Sequence, residues 1–265
     1  MNLSLLIFIF HKSVKVPQSV YFFIQRLKLL IIMLSDLIQS PFLGFSEDSI
    51  KFLKSLQNKK NNKKEWFEKH REEYEQFLKE PMKNLIDTLA PELAKIDKDI
   101  VINYKSIFRI NRDLRFSKDK TPYKTHYAAA FCFERIKKAE LPHVYFHLEP
   151  GELIIAAGQY SMDPINLKKV RYKIYSEFDD YLSIIEDKNF KKLYGEVAGV
   201  KQARPSKDYA EVADKRLEEI LKMKQFYVFK SYKPELAFET SFVDLILQHA
   251  KVSHDFVKFL WDAMK

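Results

Sequence analysis

At 265 residues, with 46% hydrophobic side chains, the chain can bury about 70–75% of the surface its unfolded form exposes, which excludes a disordered or fibrous protein and leaves room for one large domain or two small ones. The net charge of +9 favours contact with polyanions, but residues 1–32 hold Lys12, Lys15, Arg26 and Lys28 and no acid, leaving +5 for everything after them. That is mild for a dedicated nucleic-acid binder. One cysteine, Cys132 in the run AAAFCF, excludes an internal disulfide, reads as a small buried hydrophobe and fits a reducing, cytoplasmic compartment.

The first forty residues stand apart. Leu3–Phe10 and Val20–Leu34 are apolar, the second broken by Arg26 and Lys28, and neither reaches the roughly 18 uncharged residues of a membrane-spanning helix. No integral membrane span is expected. Basic residues follow the first apolar run instead of preceding it, which argues against a secretory signal. A basic amphipathic stretch lying on a membrane surface is one reading; an upstream over-extension with Met33 as the true start is the preferred one. Residues 1–40 are therefore expected to be an extension outside the domain, and residues 41–265 a single domain.

Helix signals begin at Phe45. Ser46 is a good N-cap, Glu47 and Asp48 suit the first turn, and Phe45 is placed to staple onto Ile50. Ile50, Leu53 and Leu56 form the buried stripe before the polar run NKKNNKK. Asn62 then reads as the next N-cap with Glu65 in capping-box spacing, and Trp66, His70, Tyr74, Phe77 and Leu78 follow at helical spacing, with Trp66, Phe67 and Tyr74 expected in the core. Pro81 opens a third helix through Leu85, Leu89 and Leu93.

The period then changes to two. Ile107–Asp113, Tyr127–Glu134, His143–Leu148 and Leu153–Tyr160 read as strands, with Pro150-Gly151 as a hairpin turn. In the third of these, Val144, Phe146 and Leu148 point one way and His143, Tyr145, His147 and Glu149 the other. Asp163-Pro164 caps a long helix whose stripe runs Leu167, Val170, Ile174, Phe178, Tyr181, Ile185. Gln225–Lys230 is one more strand, and Thr240–Ala250 and Ser253–Ala263 are two closing helices. Helices, then strands, then helices predict an α+β domain with a mainly antiparallel sheet flanked by N-terminal and C-terminal helices. With five glycines in all there is no phosphate-cradling glycine loop, and no cofactor is expected.

The most unusual stretch is FRINRDLRFSKDKTPYKTH, from Phe108 to His126. Six cations (Arg109, Arg112, Arg115, Lys118, Lys120, Lys124) share it with two acids, Asp113 and Asp119, and with interleaved aromatics. Arginines set among core-type residues either pair with carboxylates or offer their planar forks to an anion. Arg109, Arg112, Arg115, Lys120, Tyr123 and Lys124 are thus the candidate ligand-binding residues, and a structural ion-pair network is the competing reading. Asp113, Asp119 and Glu149 are candidate bases, though none stands in a known catalytic spacing. His143 and His147 lie about 13 Å apart along a strand, too far to share an ion, whereas His147 and Glu149 are neighbours; a polar sheet face lining a cleft or meeting solvent is the preferred reading, and no metal site is assigned.

Phe45, Phe52-Leu53, Leu56, the segment Asn61–Phe67, Tyr74-Glu75, Pro81 and above all Phe108–Lys124 resemble the bacterial and fungal family catalogued as domain of unknown function 2461. Gly158, Pro164 and Val170-Arg171 fit it too, and the resemblance spans roughly residues 42–262. The family's Pro-Arg-Gly-like loop is replaced here by Ala203-Arg204-Pro205-Ser206-Lys207-Asp208-Tyr209. The resemblance implies domain limits and no activity.

Three functional classes follow, in order of preference: a domain binding a phosphate- or carboxylate-bearing small molecule through the Arg/Lys motif; an enzyme acting on such a ligand with an Asp or Glu base; and a nucleic-acid-associated protein. Residues alone leave the oligomeric state open.

Overall fold

The computed structural model describes residues 41–133 and 141–265, together with Arg26. The chain divides into Met1–Ser40 and Pro41–Lys265. The apolar runs and the start-site reading fall outside the described residues, as does the expected end of the second strand at Glu134.

Helix α1 (Glu47–Gln57) starts where Ser46 donates its N–H to Ser49 Oγ at 3.0 Å, and it buries Phe52, Leu53 and Leu56. Helix α2 (Lys64–Lys69) follows, but its N-cap is Lys63 and not Asn62. Asn62 is turned inward instead. Its amide donates to Leu56 O (2.8 Å) and Tyr123 O (3.0 Å) and accepts from Tyr123 N–H (2.9 Å). Three bonds inside the protein outweigh one cap at a solvated helix end.

Pro81 does not open a separate helix. The chain is helical from α3 (Arg71–Tyr74) through one π-type turn (Glu75–Lys79) into α4 (Glu80–Ile96). Proline has no N–H, so the carbonyl four residues before it, on Phe77, lacks its usual helical donor. Ser49 Oγ of α1 donates to that carbonyl at 2.6 Å, and the helix passes through the proline with its backbone satisfied.

Among the described residues four antiparallel strands, β1 (Tyr127–Phe131), β2 (His143–Glu149), β3 (Glu152–Gln159) and β4 (Phe226–Tyr232), lie in the order β1-β2-β3-β4. The Pro150-Gly151 turn joins the pair Glu149↔Glu152, and Gly151 takes the positive φ of +99° that the turn requires. The expected strand Ile107–Asp113 makes only single bridges, Ile107↔Ala129 and Asn111↔Tyr123. There the chain doubles back on itself: Arg112 N–H donates to Pro122 O and Lys124 N–H to Ile110 O, each at 2.8 Å. From Ile110 on, these backbone bonds run within the loop, and the segment adds no strand to the sheet.

After β3, α5 (Pro164–Ser176) is capped by Asp163, whose carboxylate accepts from Ile165 N–H and Asn166 N–H. The long helix expected here breaks at Glu177 (φ −124°, ψ 46°), and α6 (Phe178–Ile185) and α7 (Lys188–Tyr194) follow as separate helices. Helix α8 (Lys215–Leu221) precedes β4. The two closing helices are one, α9 (Phe242–Met264): Ser253 Oγ bonds back to His249 O at 2.7 Å, which satisfies a residue that otherwise favours a break. One face of the sheet, with Val144, Phe146, Leu148, Leu153 and Ile155, packs against α9 and the N-terminal helices. The observed class is α+β, with helices at both ends and an antiparallel sheet between. No helix among the described residues is long and apolar enough to cross a membrane.

Candidate functional site

The pleat sends alternate side chains of β2 and β3 to opposite faces. With Val144, Phe146 and Leu148 committed to the helices, His143, Tyr145, His147 and Glu149 occupy the second face. Their cross-strand neighbours there are small or apolar: Tyr145 pairs with Ala130 and Ala156, His147 with Ala128 and Ile154, and His143 with Gly158. On β4, Tyr227 and Phe229 pair with Gly158 and Ala156 on that face. Small residues on β3 between larger ones on β2 and β4 leave a trough. It encloses about 500 Å³, with Tyr160 and Ser161 at one end.

Phe108, Lys124 and His126 also line the cleft, where the loop before β1 meets it. The N–H of Phe108 donates to Ala128 O at 2.9 Å, and its ring meets Tyr145 edge-on at 5.9 Å. Lys124 Nζ sits 5.5 Å from the Phe108 ring centroid and donates to Arg109 O at 3.0 Å. The rings of His126 and His147 are 5.1 Å apart.

Burial sets the charge state of the cleft. His126 is pushed down to about 4, first by burial and then by His147 and Lys124. Burial also lowers His143 and His147 and raises the Tyr145 phenol, so all four are neutral near pH 7. Lys124 is lowered by burial and by neighbouring Arg109; among the described residues it is the one Lys or Arg lining the cleft. Tyr145 Oη and His147 Nδ1 are 3.0 Å apart. With the phenol as donor, the His147 proton lies on Nε2, which has no hydrogen-bond partner among the described residues and is 3.9 Å from Glu149 Oε1.

The residues singled out from sequence divide into three groups. Lys124 lines the cleft. Arg112, Tyr123 and Lys124 line a second, smaller groove of about 260 Å³ between the loop and the NKKNNKK run, and Lys124 and His126 border both cavities. Arg109, Arg115 and Lys120 line neither. Arg112 is spent on its own loop, donating to Asp119 Oδ2 (2.7 Å), Thr121 O and Oγ1, and Ser117 Oγ. Arg115 pairs with Asp113 at 2.6 Å in the open, Lys120 Nζ donates to Leu114 O, and Arg109 is exposed. Tyr123 is buried, its ring stacked on Phe67 at 4.1 Å.

Among the candidate bases, Asp113 is held down to about 2 by the Arg115 guanidinium and backbone. Asp119 is also at about 2, first through the Thr121 N–H and then through Arg112. Both are too acidic and too fully paired to take up protons near neutral pH. Glu149 is raised by burial and by Glu152, but it does not line the cleft. Among the described residues no three His, Cys, Asp or Glu side chains are grouped to hold a metal ion. The cleft walls on β4 were missed from sequence. Their signal is Phe226–Phe229, four apolar residues in a row, which leaves neither face of that strand suited to water.

The family model described as "Conserved hypothetical protein (DUF2461)" matches residues 48–259 of the chain. No curated protein matches it.

Proposed function

The chain belongs to the DUF2461 family, and since that description names no activity, we propose from the site itself that the domain binds a small molecule with a planar or apolar body and a phosphate or carboxylate group. The body lies on the face of the sheet opposite α9 and the acid group meets Lys124. The observation that carries this reading is the trough itself: about 500 Å³, floored by Ala128, Ala156 and Gly158, walled by aromatic rings, with a lysine at its edge. A sheet face meant only for water carries polar side chains along every strand; this one carries Ile154, Ala156, Tyr227 and Phe229. Neutral imidazoles and phenols supply hydrogen bonds without repelling an apolar body, and a half-buried lysine gains a charge-assisted bond when an acid arrives. A reducing, cytoplasmic setting goes with this reading, since the single cysteine is buried in the core.

The test is thermal stability of the full chain with millimolar adenosine monophosphate, adenosine and inorganic phosphate. The monophosphate is expected to raise Tm by several degrees and phosphate alone by less. Ala156→Trp, which fills the trough, is expected to abolish the rise; Lys124→Met is expected to bring the monophosphate down to the level of adenosine. A parent protein indifferent to all three, or an Ala156→Trp variant that responds like the parent, overturns the proposal.

A further inference from the structure

The positive charge of the domain is segregated. Residues 41–265 carry a net +6, yet Lys59, Lys60, Lys63 and Lys64 contribute +4 and the stretch 109–124, six cations against two acids, another +4, so the rest of the domain is net −2. These two stretches are neighbours in space. The Asn62 amide holds Tyr123 by both its N–H and its carbonyl, and the groove between them is lined by Lys59 on one side and by Arg112 and Lys124 on the other. Lys59, Lys60, Lys63 and Lys64 are exposed and form no ion pair with a described carboxylate; nor does Arg109. At the tip of the loop Phe116 is 95% exposed, with the Arg115 guanidinium 5.9 Å from its ring centroid.

We infer that the aromatic cleft and this basic strip form one continuous surface that binds single-stranded nucleic acid, with bases on the sheet face and phosphates along the strip. The inference rests on the ligand reading of the cleft and extends it from one planar, phosphate-bearing unit to a chain of them. Continuity is given by Lys124 and His126, which border both cavities. Bases of a single strand are free to splay and stack on rings such as Tyr145, Tyr227 and Phe229; those of a duplex are already stacked on one another. Tyr145, Tyr227 and Phe229 line a concavity, which a flat bilayer does not reach, while Phe116 projects from the loop. A mild overall charge is compatible with this partner because the charge that a phosphate backbone meets is that of the strip.

The experiment is fluorescence anisotropy at about 150 mM salt with a labelled 12-nucleotide single-stranded RNA, the same DNA, the duplex of each, and vesicles rich in phosphatidylserine. Expected is single-strand binding tighter than the roughly 10⁻⁴–10⁻⁶ M of generic cation–polyanion association, with log K falling against log salt at about −0.7 per phosphate contacted. Lys60→Ala/Lys63→Ala, on exposed positions away from the cleft, is expected to flatten that slope and weaken the oligonucleotide about tenfold while leaving adenosine monophosphate binding unchanged. Phe116→Ala is expected to weaken single strands by about fivefold or more. Monophosphate binding with no gain for the oligonucleotide overturns this inference and leaves the cleft reading standing; loss of both overturns both. Duplex or vesicle binding equal to or tighter than that of single strands also overturns it.

Discussion

The Asn62 side chain grips Tyr123 from 61 residues away, accepting its N–H at 2.9 Å and donating to its carbonyl at 3.0 Å. The same amide donates to Leu56 O at the end of α1, so one residue ties the first helical hairpin to the loop that borders both cavities. Asn62→Ala leaves a buried N–H and carbonyl unpaired and is expected to cost roughly 2–3 kcal/mol in denaturant unfolding. A loss below about 0.5 kcal/mol, the scatter of ordinary surface substitutions, contradicts the clamp.

Arg112 and Arg115, equivalent in sequence, separate by variant. Arg112 is half-buried and bonds to four groups of its own loop; Arg115 and Asp113 meet in the open. Arg112→Met is expected to lower stability by about 1–2 kcal/mol, through hydrogen bonds lost by Thr121 and Asp119. Arg115→Met is expected to leave the melting temperature unchanged, as exposed ion pairs contribute little. Equal effects at the two positions contradict this division.

Gly158 closes β3 with φ +107°, and a Cβ there would stand 2.3 Å from Phe226 O and 2.8 Å from Phe256 Cε1. Gly158→Ala is therefore expected to destabilise by roughly 3 kcal/mol or more, from backbone strain and overpacking between β4 and α9 together. A near-neutral Tm for this variant removes the close approach from the account.

Acid sensitivity is built into two histidines. His249 is fully buried, with Tyr194 Oη 2.8 Å from Nδ1 and Tyr232 Oη 2.8 Å from Nε2, and burial followed by Lys230 pushes it to about 4. His126 is held at about 4 as well. Both bind protons more weakly folded than unfolded, where histidine titrates near 6.5. Their stabilisation is complete above about pH 6.5 and is lost as pH falls toward 4, about 3 kcal/mol for His249 alone. His254 works the other way: burial disfavours its charge, but its bonds to Asp255 and Asp97 raise it overall, so its contribution is present below 6.5 and fades as pH rises through its folded value. Unfolding free energy between pH 7 and 4, with the His249 ring followed by NMR, checks the sum. A His249 that titrates near 6.5 with flat stability is the contrary result.

Most of the element types were legible in sequence, because each rests on neighbours in the chain. The β2–β3 hairpin follows from Pro150-Gly151, and α5 starts where Asp163-Pro164 says it does. Boundaries set by distant groups were not legible. Nothing near Pro81 announces that Ser49 Oγ satisfies Phe77 O, and nothing near Asn62 announces Tyr123. The cleft was half legible: alternation in HVYFHLE shows a second face with His143, Tyr145 and His147. Its other wall comes from Tyr227 and Phe229, some eighty residues on. The cationic motif drew attention by composition, which counts charges and does not reveal that Arg112 and Arg115 each hold an aspartate.

Ligand binding on the sheet face opposite α9, as proposed above, is checked residue by residue in an amide NMR titration with adenosine monophosphate. Expected are saturable shifts centred on Tyr145, His147, Ala156 and Phe229 and reaching Lys124, with the Lys124 component lost when adenosine replaces the monophosphate. Shifts confined to residues 109–120, or no saturable shifts at all, would contradict it.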